Sequence, residues 1–284
     1  MSHAQEVDLP YVTAHLAYLG PTDLPIEHRV YPITSGIQTV RPPIDYQHLA
    51  IHDARPRAAE LDLDREGFAL HRHVSNFAEF YDDAAVKARY YPEVADFVCR
   101  TLGAVDVTVF DHNTRSAVRA KRGDSGIRLP VDAVHNDYTD NSGPKRSREI
   151  LADAGKSHLL GRRFLFVNLW RPIVGPVRDN PLAVCDARSV RAEDIVDTPI
   201  HHFGEDDLTT PRHSGQIQSI RYSPGHRWYY ISEMQPFEVL FLKCFDSLTD
   251  GRARFMPHTG FKNPDCPPEF IPRESIEART LVIM

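Results

Sequence analysis

Cysteine is scarce in this sequence, and long apolar runs are absent. The four cysteines are scattered, with no CxxC pair and no histidine at zinc-finger spacing: Cys99, Cys185, Cys244 and Cys266. We expect all four to be structural free thiols, as in proteins of reducing compartments. No hydrophobic stretch approaches the roughly 20 residues that span a bilayer. These absences exclude a disulfide scaffold, a zinc finger and a membrane-spanning helix.

Positive charge is also in short supply. The 33 Lys and Arg are outnumbered by 39 Asp and Glu, for a formal net charge of −6. This balance argues against nucleic acid or an anionic membrane as the main partner. The opening MSHAQEVDLP has neither the basic nor the apolar region of a signal peptide. We therefore expect a cytoplasmic protein with a small-molecule partner, and a homodimer is possible.

Short β-like segments dominate the second half of the chain. They are separated by Gly, Pro and Asp turns and not by long helices: VDVTVF, RFLFVNLW, PLAVCDARSV, QIQSIRYS, RWYYISEM, FEVLFLKCF, ARFMPH and SIEARTLVIM. This layout predicts a mainly β fold with flanking helices, built on a jelly-roll (cupin-like) core. We predict helices over 76–102, broken or kinked at Pro92 and ended by Gly103, and over 145–160.

The first 60 or so residues are rich in proline and turn residues, and they predict an extended arm with short strands, wrapped on the core. We expect one domain over 1–284. Residues 1–104 supply the arm and helices, and residues 105–284 form the jelly-roll catalytic core.

The pair His135 and Asp137, in AVHNDYTD, is a candidate for metal binding. On a strand, residues i and i+2 point to the same face and can reach one ion. Two histidines and one carboxylate would hold Fe(II) and leave adjacent positions open for a 2-oxo acid and dioxygen. The pair alone is weak, because a chain with 15 His and 39 acidic residues is expected to contain such a pair by chance.

A third ligand and a co-substrate anchor are found later in the chain. His258 ends ARFMPH, and a proline-rich hairpin separates it from the closing strand, which begins with Arg273 and Ser275. These two share one strand face, so both can bond the distal carboxylate of 2-oxoglutarate. Arg279 has the same phase and is the alternative anchor. His226 is the competing third ligand, although a structural role beside Trp228 and Tyr230 is favoured.

Other residues have both a functional and a structural interpretation. Asn168 is a candidate to bond the metal-side carboxylate of the co-substrate. For the substrate, we assign Arg171, Trp228 and Tyr230, with the alternative that Arg171 pairs with Asp179 or Asp186. The remaining predictions are structural: Tyr138 packs in the core, and His71 and His73 lie on the surface.

At these residues the chain resembles the CmcJ/NvfI-type oxidoreductases, which include the cephem 7α-methoxylation protein, fungal gibberellin desaturase and aspergillic-acid hydroxylase. The shared blocks run through nearly the whole chain: AIHDAR, LDLDREGFAL, YYPEV, GAVDVTVFDHNTR, VHNDYTDNSGPKR, VNLWRPIVGPVRDNPLAVCDARSV, HRWYYISEMQPFEVLFLKCFDS, HTGFKNP and PRESIEARTLV. One departure is DHNTRS, where the family pattern is closer to DHTIRR.

The resemblance implies a double-stranded β-helix core and an Fe(II)/2-oxoglutarate-dependent dioxygenase, with His135, Asp137 and His258 as its metal ligands. It also implies hydrogen abstraction from an unactivated C–H bond of a natural-product or amino-acid-derived substrate in secondary metabolism. Hydroxylation, desaturation and ring closure share that step. Two alternatives remain: a non-catalytic cupin-like accessory protein, and an iron dioxygenase that does not use 2-oxoglutarate.

Overall fold

Two β-sheets face each other across an apolar core. A computed structural model describes residues 9–124, 126–129 and 131–284. The strands of this part are β1 (Tyr11–Leu19), β2 (His28–Val30), β3 (Ile44–Asp53), β4 (Phe68–Arg72), β5 (Asp106–Ser116), β6 (Ile127–Arg128), β7 (His135–Asn136), β8 (Phe164–Pro172), β9 (Leu182–Cys185), β10 (Ile195–Phe203), β11 (Pro211–Ile220), β12 (Trp228–Tyr230), β13 (Glu238–Asp246), β14 (His258–Gly260) and β15 (Glu274–Ile283).

The major sheet has the strand order β1-β3-β12-β9-β14-β7-β11-β10-β2, and the minor sheet has the order β4-β13-β8-β15-β5-β6. Most neighbours are antiparallel; the exceptions are β2 with β10, β3 with β12 and β5 with β6. Most strands predicted from short apolar runs are present, but in ARFMPH only His258 lies in a strand. A further strand, β10, was missed. Its sequence, IVDTPIHHF, contains a proline and two histidines and does not alternate cleanly.

The core between the sheets is made of large apolar side chains from both inner faces. Tyr138 belongs to it and stacks on Phe166 with ring centroids 4.1 Å apart, as the core-packing prediction required. Trp170 and Leu240 enter the same core from β8 and β13. Successive side chains of a strand point to opposite faces, so the residues next to these core residues in each strand face away from the core.

The N-terminal segment contributes strands to the sheets. β1 pairs with β3 along its whole length, and β4 pairs with β13 in the minor sheet. Ala17 and Leu19 also bridge to Ala133 and Arg221, so β1 curls back over the outer face of the major sheet. The curl encloses a second apolar cluster, whose members include Val12, Leu16, Tyr18, Cys185, Trp228 and Tyr230.

Short helices flank the sheets. The outer face of the minor sheet is covered by α1 (Asp83–Ala85), a π-helical turn (Val86–Tyr90) and α2 (Tyr91–Leu102). They are followed by α3 (Ala117–Arg122) and by α4 (Ser142–Asp153), whose Ile150 and Leu151 pack in the core between the sheets. Short 3-10 segments lie at Ile33–Ser35, Arg55–Glu60, Ser157–Leu159, Ala187–Ser189 and Ala192–Asp194. Pro92 lies in the first turn of α2, and Gly103 ends it with a φ of 64°, both as predicted. No helix in the described residues is both long and apolar enough to cross a membrane.

Candidate metal and co-substrate site

His135, Asp137 and His258 converge on the inner face of the major sheet. His135 of β7 lies directly opposite His258 of β14, and their ring centroids are 4.5 Å apart. Asp137 follows the end of β7. The three side chains offer ligand atoms that all lie within 4.8 Å of one another. His258 begins its short strand, whereas the sequence predicted that it ends one.

The backbone fixes the tautomer of both histidines. Nδ1 of His135 lies 2.8 Å from the Ala133 carbonyl oxygen, and Nδ1 of His258 lies 3.2 Å from that of Met256. Because a carbonyl oxygen only accepts, each Nδ1 carries the proton and each Nε2 keeps a free lone pair. Burial and the neighbouring His135 also lower the pKa of His258, which keeps it neutral.

Asp137 is held on one oxygen only. Its Oδ2 accepts a hydrogen bond of 2.7 Å from Nδ2 of Asn168 and lies 3.6 Å from Nε of Arg279. Its Oδ1 lies 3.5 Å from Nε2 of His135. Burial opposes the charged form, but the charge of Arg279 outweighs it and holds the pKa of Asp137 well below its usual range. Asp137 is therefore ionised, with Oδ1 on the side of the histidines.

Asn136, between the two candidate ligands, was missed by the sequence analysis. It is fully buried, and its Nδ2 donates to the Tyr138 carbonyl, the Cys244 carbonyl and the Gln218 side chain. Asn136 thereby ties the end of β7 to the opposite sheet. The sequence offered one signal for this role, which is that a polar residue stands between His135 and Asp137, at a position that alternation turns away from both.

Arg273 and Ser275 line the inner face at the start of β15. Both are buried, and Nε of Arg273 and Oγ of Ser275 have no hydrogen-bond partner in the described residues. Nη1 of Arg273 donates to the Asn180 carbonyl at 2.7 Å, and its guanidinium carbon lies 5.5 Å from the Trp170 ring centroid. A Cβ on Gly260 would lie 3.4 Å from Nη1 of Arg273. These unpaired buried donors suit a carboxylate ligand.

Arg279 is already engaged by acidic groups. Its Nε lies 3.3 Å from Glu277 and its Nη1 3.3 Å from Asp111, in addition to its approach to Asp137. Burial opposes its charge, but Asp137 and Glu277 raise the pKa of Arg279. Asn168, which the sequence analysis assigned to the co-substrate, is likewise engaged, because its Nδ2 donates to Asp137. Its Oδ1 is buried and has no hydrogen-bond partner among the described residues.

The predicted substrate role of Arg171 is corrected by its position. In β8, Asn168 and Trp170 face the core, so Arg171 points outward toward the helices. Its Nη2 donates to the Pro236 carbonyl, and its Nη1 lies 3.4 Å from His73. The predicted pairing with Asp179 or Asp186 is also wrong. His73 is buried against Phe97, and His71 is partly buried. The prediction that both lie on the surface is therefore wrong.

The substrate role predicted for Trp228 and Tyr230 is also wrong, because both side chains point to the face of the strand opposite the site. Both point into the second apolar cluster, and Nε1 of Trp228 donates to the Tyr18 hydroxyl at 2.6 Å. Tyr229 faces the core between the sheets. His226 has both ring nitrogens engaged, by the Tyr18 hydroxyl and by Asp194, so it is structural as favoured.

The donor set fits the group that the sequence analysis implied. Two free Nε2 atoms and one carboxylate oxygen form a facial set that suits Fe(II) and leaves positions open. On the facing sheet, Nε of Arg273 and Oγ of Ser275, which have no partner within the described part of the chain, suit the distal carboxylate of a dicarboxylate co-substrate. The remaining carboxylate oxygen and both Nδ1 atoms are held by hydrogen bonds, as outer partners of metal ligands usually are.

Comparison with known proteins gives consistent results. Residues 16–283 match the family model described as an oxidoreductase/YMDC permease-like domain. The hydroxylase/desaturase efuI of Hormonema carpetanum is 34% identical over 255 residues, 83% of each chain. The Fe(II)/2-oxoglutarate-dependent dioxygenase nvfI of Aspergillus novofumigatus is 33% identical over 238 residues, 81% of each chain.

The structure is also similar to a solved one. The iron and alpha-ketoglutarate-dependent endoperoxidase NvfI superposes with a TM-score of 0.82 at 29% identity, covering 96% of this chain and 98% of the other. This similarity confirms the prediction of a mainly β, jelly-roll fold.

Proposed function

The chain belongs to the family of Fe(II)/2-oxoglutarate-dependent dioxygenases that contains these relatives, and from that premise we propose how its own residues carry out the reaction. It is an oxidoreductase that uses Fe(II), 2-oxoglutarate and dioxygen, as predicted. Its relatives are hydroxylases, desaturases and an endoperoxidase of secondary metabolism. The alternatives without catalysis or without 2-oxoglutarate are therefore dropped.

We propose His135, Asp137 and His258 as the metal ligands. The observation that carries this assignment is their convergence within 4.8 Å, opposite a buried arginine and serine with unpaired donors. Fe(II) bound there supplies dioxygen activation coupled to oxidative decarboxylation of 2-oxoglutarate, and hence the oxidising power for C–H cleavage. The protein holds the reactants and excludes water.

Each residue around the proposed ligands has a positioning role. Asn168 and Arg279 hold Oδ2 of Asp137, which leaves Oδ1 for the metal. We propose that Arg273 and Ser275 bind the distal carboxylate of 2-oxoglutarate. Arg273 is favoured over Arg279 because the charge of Arg279 is matched by three carboxylates.

The reaction on the substrate is proposed to be hydrogen abstraction from an unactivated C–H bond of a small natural product or amino-acid-derived molecule. Hydroxylation, desaturation and ring closure all begin with that step. The activities of the relatives support a small-molecule substrate, and we propose a cytoplasmic enzyme without nucleic-acid or membrane partners.

We also propose a single domain, with residues 1–104 packed on a catalytic core of residues 105–284. A homodimer is proposed on the exposed aromatic side chains of β1 and β3, Tyr11 and Tyr46. Light scattering of the purified protein tests the dimer, and a monomeric mass at high protein concentration contradicts it.

Turnover of the co-substrate tests the ligand assignment. We expect the purified protein to convert 2-oxoglutarate to succinate slowly when supplied with Fe(II) and air, without added substrate. His135→Ala and His258→Ala should abolish succinate formation, whereas His226→Ala, which removes the competing ligand candidate, should retain it if the variant folds. Succinate formation that survives in the first two variants contradicts the assignment.

A further inference from the structure

A row of cationic and polar side chains lies beside the proposed site. In the minor sheet, Ser275 of β15 pairs with Arg115 of β5, and Arg115 pairs with Arg128 of β6. Directly paired residues on neighbouring strands point to the same face, with Cβ atoms about 5 Å apart. The row therefore leads from the buried Ser275 to Arg128, which is exposed at the edge of the sheet.

The row lies on the inner face. Thr114, next to Arg115, is bonded to the Phe80 carbonyl on the helix-covered side, so Arg115 points the other way. Asn113 lies two residues before Arg115 on β5, so its side chain points to the same face, and it pairs with Glu277 of β15. The row therefore faces the same space as Arg273, Glu277 and Arg279.

The two arginines lack acidic partners. No carboxylate of the described residues lies within 4.0 Å of a guanidinium nitrogen of Arg115 or Arg128. The hydrogen bond found for Arg115 goes to the Leu129 carbonyl, at 2.6 Å. Glu277, a buried carboxylate on β15 opposite Asn113, pairs with Arg279. Like charges directly opposite each other on neighbouring strands are destabilising, so an unbalanced pair indicates a functional demand.

A second observation points to a ligand at the same place. Nδ2 of Asn113 is buried and has no hydrogen-bond partner in the described residues, although Asn113 is only 3% exposed. A buried unpaired donor is costly and calls for an acceptor. Burial lowers the pKa of Arg115; Glu277 opposes this shift, and Arg279 and Arg128 reinforce it.

One 2-oxoglutarate molecule does not use all these donors. Its distal carboxylate is matched by Arg273 and Ser275, and its other end belongs at the metal. Arg115, Arg128 and Nδ2 of Asn113 are left over, between that anchor and the exposed edge of the sheet. We propose that they bind a carboxylate of the substrate, so that the enzyme oxidises a carboxylate-bearing small molecule.

The inference rests on the proposed function, because it takes Arg273 and Ser275 as the co-substrate anchor. Binding, and not turnover, tests it. Mn(II) replaces Fe(II), 2-oxoglutarate is saturating, and benzoate serves as a simple carboxylate probe with benzamide as its neutral match. Mn(II) shortens the proton relaxation times of a probe that binds near it. Benzoate should show this effect and benzamide should not.

Variants then assign the benzoate site. Arg115→Gln should weaken benzoate binding about tenfold, and Arg128→Gln should weaken it less, because Arg128 is exposed. The control is Arg122→Gln, which removes the same charge from an exposed side chain paired with Asp124 and should change nothing. Arg115→Lys keeps the charge and should restore part of the binding. Arg128→Gln remains informative if Arg115→Gln fails to fold.

The affinity for 2-oxoglutarate separates this inference from the proposed function. Calorimetry on the Mn(II) protein should give the same 2-oxoglutarate affinity in Arg115→Gln as in the wild type. If the affinity falls and benzoate binding persists, Arg115 belongs to the co-substrate anchor and the inference is wrong. Equal binding of benzoate and benzamide also overturns it. If 2-oxoglutarate does not bind the wild-type protein, the proposed function fails, whatever benzoate does.

Discussion

Asn168 donates a hydrogen bond of 2.7 Å to Asp137, across the gap between the minor and the major sheet. This contact sets which oxygen of Asp137 faces the two histidines. It also joins the candidate metal centre to the sheet that carries the proposed co-substrate anchor, because β8, the strand of Asn168, pairs with β15, the strand of Ser275.

The first prediction concerns that contact. Asn168→Ala should weaken metal affinity by about 10- to 100-fold, as loss of an outer hydrogen-bond partner typically does. Titration with Co(II), followed by its absorption spectrum, measures the effect. Asn263→Ala removes an amide that bonds the distant Arg178 carbonyl and should leave the affinity unchanged. Equal affinity in Asn168→Ala and the wild type would show that Asp137 needs no such support.

The second prediction separates the two ends of the co-substrate. Arg273→Ala should weaken 2-oxoglutarate binding to the Mn(II) protein by at least about tenfold, because a charge-assisted hydrogen bond is lost. Binding of 2-oxobutyrate, which has no distal carboxylate, should hardly change. Calorimetry measures both. A similar loss for both ligands would mean that Arg273 acts on the fold of the site and not on the distal carboxylate.

The third prediction is a loss of stability in mild acid for the metal-free protein. Burial and Arg41 lower the pKa of His28 to about 4, and burial and His135 lower that of His258. The pKa of histidine in the unfolded chain is about 6.5. Below that pH the unfolded chain binds protons that the folded chain does not bind, so the free energy of unfolding decreases as the pH is lowered. Asp137, with its pKa held low, adds to this only below about pH 4.

Thermal denaturation in EDTA at pH 7.5, 6.5 and 5.5 measures this loss. The melting temperature should drop between the last two values, and His28→Asn should make the drop smaller. A melting temperature that stays constant or rises toward pH 5.5 would contradict the account.

The fourth prediction concerns the packing of α4 on the core. A Cβ on Gly143 would lie 2.7 Å from Cδ2 of Phe245, whereas Gly→Ala in a helix ordinarily stabilises by about 0.5–1 kcal/mol. The overlap should reverse that sign, so Gly143→Ala should destabilise by about 1–3 kcal/mol in urea unfolding. Gly225→Ala is the control, because its Cβ would meet only Oγ of Ser223, at 3.7 Å. A stabilised Gly143→Ala protein would contradict this packing.

The sequence was most informative where local pattern and chemistry coincide. The strands rich in β-branched and apolar residues and the caps of α2 follow from local preferences, and the structure has them. His135, Asp137 and His258 were selected by residue type and spacing, and the fold brings them together. Their role as ligands remains a prediction.

The wrong assignments share a physical cause. Arg171 lies in a strand that is buried on both faces, and Trp228 and Tyr230 lie in a strand of three aromatic residues, so apolar alternation gives no sign of which face is inward. A shift of one residue turns a side chain to the other side of the sheet. Arg115 was overlooked because only its cross-strand partners show that its charge is unbalanced. That information is long-range, so it cannot be read from one strand.

The most direct test of the central claim is an anaerobic titration of the metal-free protein with Fe(II) and 2-oxoglutarate, followed by visible absorption. The account predicts a weak metal-to-ligand charge-transfer band that saturates with 2-oxoglutarate. The band should be absent in His135→Ala and should need more 2-oxoglutarate in Arg273→Ala. A band that persists in His135→Ala, or no band although iron binds the wild-type protein, would contradict the account.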